Sequence, residues 1–237
     1  MATTSRYLEE IRNRVLVYDG AMGTQILDLN LAAPDYGGPA QDGCPEILAV
    51  TRPDAIRDIH RAYLDAGADI LETDTFTGTR LKLDDYALGA RTYEINHAAA
   101  RVAREAADSF STPERPRFVA GSMGPTGMLP SSDDPSLSNI TYQQLAELYR
   151  EQAVALIEGG VDLLLIETSQ DILEVRAAIT GIRRAWAETG RRVALQVQVT
   201  LDTSGRMLLG TDIAAAAAIV FHLGVDVIGL NCSTGPE

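Results

Sequence analysis

Short apolar runs alternate with amphipathic stretches along this chain of 237 residues. The apolar runs, rich in Val, Ile and Leu, predict strands because each is short and is followed by small or polar residues. They are almost continuously apolar, which is typical of parallel strands covered by helices on both faces. The predicted strands are residues 15–18, 69–73, 118–121, 161–166, 193–199 and 225–230.

The stretches between these runs carry helix signals. Pro53 stands where the first turn of a helix tolerates proline, and Gly67 stands where that helix should end. The sequence TYQQ, which begins at Thr141, is a capping-box pattern. The pattern predicts further helices over residues 90–108, 141–158, 171–189 and 212–223.

Polar and small residues follow the carboxyl end of every predicted strand, whereas the turns before the strands read as plain AGAD, GGVD and LGVD. An open doubly wound sheet would concentrate its ligand residues at one switch point. A rim of polar residues after all strands instead favours a (β/α)8 TIM-barrel type of α/β fold. Only six strand–helix units can be counted, so we expect residues 1–237 to form one barrel domain that is incomplete at its C-terminal side.

Composition excludes several classes of partner. The net charge is −13 and the pI is near 4.6, which argues against nucleic acid and against anionic membrane surfaces. The longest apolar run, residues 213–221, is too short to cross a bilayer, and the N-terminus has no signal core. Two cysteines cannot form a disulfide framework, so we expect a cytoplasmic protein.

The sequence DGAMGT at residues 19–24 follows the first predicted strand. Asp19 is a candidate charged contact for a ligand, and the backbone amides of Ala21 and Met22 are candidates to bind a carboxylate. A tight turn in which Asp19 caps the next helix explains the same residues equally well.

Two further candidates follow later strands. Glu167, after the apolar LLLI run, is a candidate base or amino-group ligand, or else a rim carboxylate paired with an arginine. Cys232, beside Asn231, is either a metal ligand or nucleophile or a small buried hydrophobic residue. The three histidines (His60, His97 and His222) lie in helical patterns or before the sixth strand, and we interpret them as structural.

Six motifs in order resemble the homocysteine-binding barrel of cobalamin-dependent methionine synthase. They are DGAMGTQI, GCPEILAVTRPDAIRDIHRAYLDAGADILETDTF, GSMGP, LLLIETSQDILE, VTLDTSGRMLLGTDI and GLNCSTGP. The betaine-dependent and S-methylmethionine-dependent homocysteine methyltransferases share this barrel. The stretch GC-x-E…TRPD and the sequence ETSQD resemble methionine synthase more closely.

The resemblance implies a homocysteine S-methyltransferase in which zinc binds the homocysteine sulfur and the thiolate takes a methyl group from methylcobalamin. It implies that Cys232 is a zinc ligand. The homocysteine amino group would be held by Asp19 and Glu167, and its carboxylate by the amides of Ala21 and Met22. Asn231 and Ser122 would be further polar contacts. Methylcobalamin would be carried by a separate module, and the partners would be the cobalamin- and folate-binding modules of a parent enzyme.

Three departures from the family pattern affect these expectations. The Gly-Gly-Cys-Cys motif that supplies two more zinc ligands is absent, so the chain alone would be weakly active or inactive. Asp74 stands where the family commonly has asparagine and adds a negative charge near the site. Pro45, in GCPE, changes a loop; Cys44 before it is a candidate replacement ligand. The alternatives are a betaine- or S-methylmethionine-dependent methyltransferase, a non-catalytic amino-acid-binding barrel, and a barrel lyase with Glu167 as its base.

Overall fold

The computed structural model describes residues 5–233. Its strands form one parallel sheet in the sequential order β1-β2-β3-β4-β5. A strand order without a reversal is that of a (β/α)-barrel wall and not of a doubly wound sheet, and the predicted barrel-type α/β fold is confirmed. The strands are β1 (Ile70–Glu72), β2 (Phe118–Met123), β3 (Leu163–Ser169), β4 (Ala194–Val199) and β5 (Val227–Leu230).

Helices connect the strands and cover the outer face of the sheet. Thr141 and Gln144 form the predicted capping box, and Gly67 ends its helix in the left-handed conformation, with φ of 111°. The α-helices are α1 (Arg6–Asn13), α2 (Met22–Asp28), α3 (Leu48–Thr51), α4 (Pro53–Ala66), α5 (Arg80–Leu83), α6 (Thr92–Phe110), α7 (Pro135–Ser138), α8 (Tyr142–Gly159), α9 (Ile172–Thr189) and α10 (Ile213–His222). Short 3₁₀ turns lie at Pro45–Ile47, Asp84–Tyr86 and Gly89–Arg91.

The predicted first strand, residues 15–18, is wrong as a strand. It forms a single parallel bridge between Tyr18 and Ile70 beside β1. The Val15 and Val17 side chains are 86% and 55% exposed, and within residues 5–233 no strand pairs with the other side of this segment. A single neighbour gives the segment too few ladder hydrogen bonds to continue as a strand, although it still directs the following Asp19 toward β1.

Side chains alternate between two faces along each strand. On β1, Ile70 faces the inner cluster of the barrel, whereas Leu71 faces the layer between the sheet and the helices. Ring edges of Tyr7, from α1, pack against Phe118 at 5.7 Å between centroids, which closes the amino end of the interior. The inner cluster comprises Tyr7, Ile70, Phe118, Ala120, Leu163, Leu165 and Ala194. Gln196, in the middle of β4, is a buried polar residue that accepts hydrogen bonds from the Tyr7 and Tyr18 hydroxyls. On β1, β2 and β3 the inward positions become polar toward the carboxyl ends.

Close packing of α8 against α9 supports β3 from outside. Gly181 of α9 lies directly against the α8 backbone: an added Cβ would overlap the Ala146 carbonyl oxygen and lie 2.8 Å from the Arg150 nitrogen. Only glycine permits this approach. No described helix is both long enough and apolar enough to span a membrane.

We expect Gly181→Ala to lower the free energy of unfolding by roughly 1–3 kcal/mol, because backbone atoms must move to admit the methyl group. Gly23→Ala is the matched control: Gly23 is also helical, but an added Cβ meets nothing within 4 Å. The control should raise stability by about 0.5–1 kcal/mol through helix propensity. Urea denaturation followed by circular dichroism measures both, and a Gly181→Ala variant as stable as the parent would contradict this packing.

Candidate functional site

A cavity of about 670 Å³ opens at the carboxyl ends of β1, β2 and β3. Its wall includes the turn between residues 19 and 24, the ends of these strands and the loop before α3. Within the described part of the chain no Lys, Arg or His side chain lines it. Five acidic side chains do: Asp19, Glu46, Glu72, Asp74 and Glu167.

Asp19 is fixed by the strand beside it. Both of its carboxylate oxygens accept hydrogen bonds from the Glu72 backbone N–H, at 3.2 and 3.0 Å. Burial raises the pKa of Asp19 to about 8, against the hydrogen bonds from backbone N–H groups, which lower it. The N-cap of α2 is Ala21, without a side-chain cap, so the interpretation of Asp19 as a helix cap is wrong.

The turn that carries Ala21 and Met22 packs against Tyr63 of α4. The Tyr63 hydroxyl donates to the Ala21 carbonyl oxygen at 3.0 Å, and an added Cβ at Gly20 would lie 2.9 Å from the Tyr63 ring. Helix α2 begins at Met22, where the first N–H groups lack partners within the helix. Residues 20–24 therefore present backbone amides in the wall of the cavity.

Glu167 lies within β3, which continues three residues beyond the predicted end at 166. Its side chain is 8% exposed and accepts hydrogen bonds from the Ser122 hydroxyl at 2.6 Å and the Asn231 amide at 3.2 Å. Burial raises its pKa, and these hydrogen bonds act in the opposite direction. No arginine within residues 5–233 pairs with it, so the alternative of an arginine-paired rim carboxylate is wrong.

Asn231 connects Glu167 to Cys232. The Asn231 amide nitrogen donates to Glu167 and to the Thr168 hydroxyl (2.8 Å), and its oxygen accepts from the Thr168 N–H (2.8 Å). The Cys232 sulfur lies 3.6 Å from the Asn231 amide nitrogen and 3.7 Å from the Thr168 hydroxyl oxygen. Cys232 is exposed at this rim and does not lie in the apolar layer between sheet and helices.

Thr168 is a site residue that the sequence interpretation missed. It has φ of 56°, in the left-handed region, where a β-branched residue is uncommon. The β3–β4 register shifts between Ile166 and Ser169, which is the signature of a β-bulge. The bulge turns the Thr168 N–H and hydroxyl toward Asn231. The sequence signal that could have identified Thr168 is the polar ETS sequence directly after an apolar run.

Cys44 and the histidines are not part of the cavity wall. Cys44 is fully buried and its thiol donates to Glu46 at 3.5 Å; burial raises the pKa of this thiol to about 12. His60 is buried in α4, where burial lowers its pKa to about 4. His222 contacts the Ala218 carbonyl oxygen in the last turn of α10. Neither histidine nor Cys44 lines the cavity.

Asp74, expected to add a negative charge, is 7% exposed. Burial, followed by the charge of Glu46, raises the pKa of Asp74 well above its ordinary value. One of its carboxylate oxygens is buried without a hydrogen-bond partner in the described residues. Both effects favour the neutral acid over the carboxylate, against the expectation that Asp74 adds a negative charge.

The donor set for a metal is small. Among residues 5–233 no group of three or more His, Cys, Asp or Glu side chains is placed to hold a metal ion. Cys232 offers a single sulfur atom at the rim. The described residues therefore do not form the three-ligand set that catalytic zinc uses.

The chain is similar to much longer proteins. It is 45% identical over 229 residues to the methionine synthase of Mycobacterium leprae (strain TN), covering 97% of this chain and 18% of that protein. It is 44% identical over 229 residues to the methionine synthase of Mycobacterium tuberculosis (strain ATCC 25618 / H37Rv), covering 97% and 19%. The chain thus spans less than a fifth of the length of these relatives.

Solved structures share the fold. The homocysteine methyltransferase MmuM from Escherichia coli superposes with a TM-score of 0.76 in its oxidised form, at 22% identity over 95% of this chain and 76% of that chain. Its metallated form gives 0.76 at 21% identity over 94% and 77%. A sequence profile described as homocysteine S-methyltransferase matches residues 16–237. Since this match extends over nearly the whole sequence, the chain belongs to the homocysteine S-methyltransferase family.

Proposed function

We propose that this chain is the homocysteine-binding barrel of a methionine synthase and that it presents the homocysteine thiol for methylation. The observation that carries the proposal is the continuous set of contacts from the acidic cavity through Glu167 and Asn231 to the Cys232 sulfur. An amino acid with a thiol side chain has an ammonium group that can bind the acidic cavity and a sulfur atom that can reach the rim beside Cys232.

The polar groups of the cavity match the two charges of an amino acid. Asp19 and Glu167 would pair with the ammonium group, since a buried carboxylate gains from an opposite charge nearby. The N–H groups of Ala21 and Met22 would receive the carboxylate. Ser122 and Asn231 would hold the Glu167 carboxylate in place through their hydrogen bonds.

Zinc would favour the thiolate form of the substrate, because a cation displaces the thiol proton. Cys232 fits the role of one sulfur ligand. The other ligands of a complete site would come from outside residues 5–233, and we derive no step of the reaction through the metal. Methylcobalamin on a separate module would supply the methyl group, and the cobalamin- and folate-binding modules of a cytoplasmic parent enzyme would be the partners.

The alternative methyl donors, betaine and S-methylmethionine, are less well supported. The curated relatives at 44–45% identity are methionine synthases, whereas the MmuM likeness is at 21–22% and carries the fold alone. A non-catalytic amino-acid-binding barrel would differ in having affinity for homocysteine that no metal chelator alters. A barrel lyase with Glu167 as base lacks a basic partner in the described cavity wall.

We expect Glu167→Gln and Asp19→Asn each to weaken L-homocysteine binding by about tenfold or more, because each removes a charged partner of the ammonium group. Isothermal titration calorimetry measures the dissociation constants. Glu9→Gln, on the exposed face of α1 at the opposite end of the barrel, is the matched control and should bind as the parent does. Unchanged affinity in both cavity variants would contradict the amino-group assignment.

We expect this chain alone to bind zinc with a dissociation constant weaker than about 1 μM, because one thiolate replaces a three-ligand set. Cys232→Ala should remove the remaining affinity, whereas Cys44→Ala, which changes a buried thiol, should not. Competition with a zinc-sensitive dye measures this. Stoichiometric submicromolar binding, or binding that Cys232→Ala leaves intact, would overturn the ligand assignment.

We further propose that Asp74 stays protonated and acts as the neutral group that asparagine provides elsewhere in the family. Because folding raises its pKa, the folded state holds the proton more tightly than the unfolded chain, and stability falls as pH rises above the ordinary aspartate pKa. Asp74→Asn should therefore raise the free energy of unfolding at about pH 7 by about 1 kcal/mol or more, with a small difference near about pH 4.

Urea denaturation at both pH values measures the Asp74→Asn effect. Asp133→Asn, at an exposed position, is the control and should change little at either pH. A loss of stability in Asp74→Asn at neutral pH would show that Asp74 is needed as a carboxylate.

A further inference from the structure

Glu72 is the last residue of β1 and lies two positions beyond Ile70, so its side chain faces the barrel interior. It lines the same cavity as Asp19 and Glu167. The sequence interpretation gave it no role. Its backbone N–H donates to the Asp19 carboxylate. Glu72 is therefore a third carboxyl group beside Asp19 and Glu167, the two proposed ammonium ligands.

The three carboxyl groups differ in their hydrogen-bond donors. Asp19 accepts from backbone N–H groups. Glu167 accepts from the hydroxyl groups of Ser122 and Thr168 and from the Asn231 amide. The Glu72 carboxyl accepts no hydrogen bond from any residue in the described range. Donors stabilise the ionised form, so half-buried Glu72 is the member of the set whose carboxylate receives the least stabilisation from protein hydrogen bonds.

The charged surroundings of Glu72 act in the same direction. The segment before β1 contributes Tyr18 and Asp19, and β3 contributes Glu167; the neighbouring β2 contributes the neutral Ser122. Burial, followed by the charges of Glu167 and Asp19, raises the pKa of Glu72 to about 9. No basic side chain in the described cavity wall opposes this.

A separate observation on the same wall shows the shortage of positive charge. Asp74 lines the cavity and is only 7% exposed. One of its carboxylate oxygens has no hydrogen-bond partner in the described residues. Such an acceptor costs free energy unless a proton or a cation reaches it. No side chain of the described cavity wall thus offers these carboxylates a positive charge.

We propose that Glu72 holds a proton in the empty cavity and releases it when the ammonium group of the amino-acid substrate enters. This inference rests on the proposed function and deepens it. The carboxylic O–H bond of Glu72 breaks, the proton passes to solvent buffer, and the resulting carboxylate faces the ammonium group. One positive charge replaces another, so the net charge of the cavity is unchanged and binding strengthens as pH rises toward the pKa of Glu72.

The proton on Glu72 is tested first without a ligand. Carbon-13 NMR of the chain labelled at glutamate side-chain carboxyl carbons, with Glu72 assigned through the backbone, follows its titration. We expect a midpoint for Glu72 well above neutral pH. A Glu72 midpoint near about 4 would overturn the inference.

The exchange itself is tested by calorimetry with L-methionine in EDTA at about pH 7, in buffers of different ionisation enthalpy. L-methionine has no thiol proton, and its ammonium group is held in the charged form by the carboxylates, so a proton released on binding comes from the protein. We expect release of about one proton per ligand in the parent chain and clearly less in Glu72→Gln. Glu9→Gln should release as many protons as the parent.

The outcomes separate the two proposals. Binding by the parent with no net proton release, or equal release by Glu72→Gln, overturns the inference about Glu72. Failure of the parent to bind either L-methionine or L-homocysteine overturns the proposed function, and in that case a low Glu72 midpoint in the ligand-free titration overturns the present inference as well.

Discussion

The two-residue alternation of side chains along parallel strands is the constraint on which this structure depends. Strands β1, β2 and β3 share a register in which inward positions follow one another across the sheet, from Ile70 to Phe118 and from Ala120 to Leu163. The same alternation places Glu72, Ser122 and Glu167 inward at the carboxyl ends. One periodicity therefore gives these three strands apolar inward residues in the barrel interior and polar inward residues at their carboxyl ends. On each strand the inward side chain changes from apolar to polar over two residues.

The mouth is assembled by residues that leave regular strand geometry. Asp19 follows a segment with only one bridge to β1, and Thr168 lies at the bulge of β3. In both places strand pairing is interrupted, and a side-chain oxygen accepts a hydrogen bond from a backbone N–H group. Asp19 binds the Glu72 N–H, and Asn231 binds the Thr168 N–H. The irregular backbone thereby becomes the structure that joins strands β1, β3 and β5 at the rim.

Much of the fold could be predicted from the sequence because the strands are short, apolar and separated by well-capped helices. The 15–18 run could not be distinguished from a strand, since its apolar pattern is the same and only its missing second neighbour differs. Candidate site residues that follow strands were found through their motifs. Glu72 and Thr168 were missed because their importance depends on which donors reach them: Glu72 has none in the described residues, and Thr168 adopts a backbone conformation that no sequence pattern announces.

The acidic mouth is a cost to folding that a cationic ligand would offset. Desolvation raises the pKa values of Asp19, Glu72, Asp74 and Glu167, which means that at neutral pH each favours proton uptake over ionisation more than it would in the unfolded chain. An apolar replacement would relieve this cost, but it would leave nothing to recognise an ammonium group. Asp19 and Glu167 accept hydrogen bonds that favour their ionised forms, whereas Glu72 accepts none from the described residues and can exchange its proton for the ligand's ammonium group. The difference in local hydrogen bonding thus gives chemically similar side chains different parts in binding.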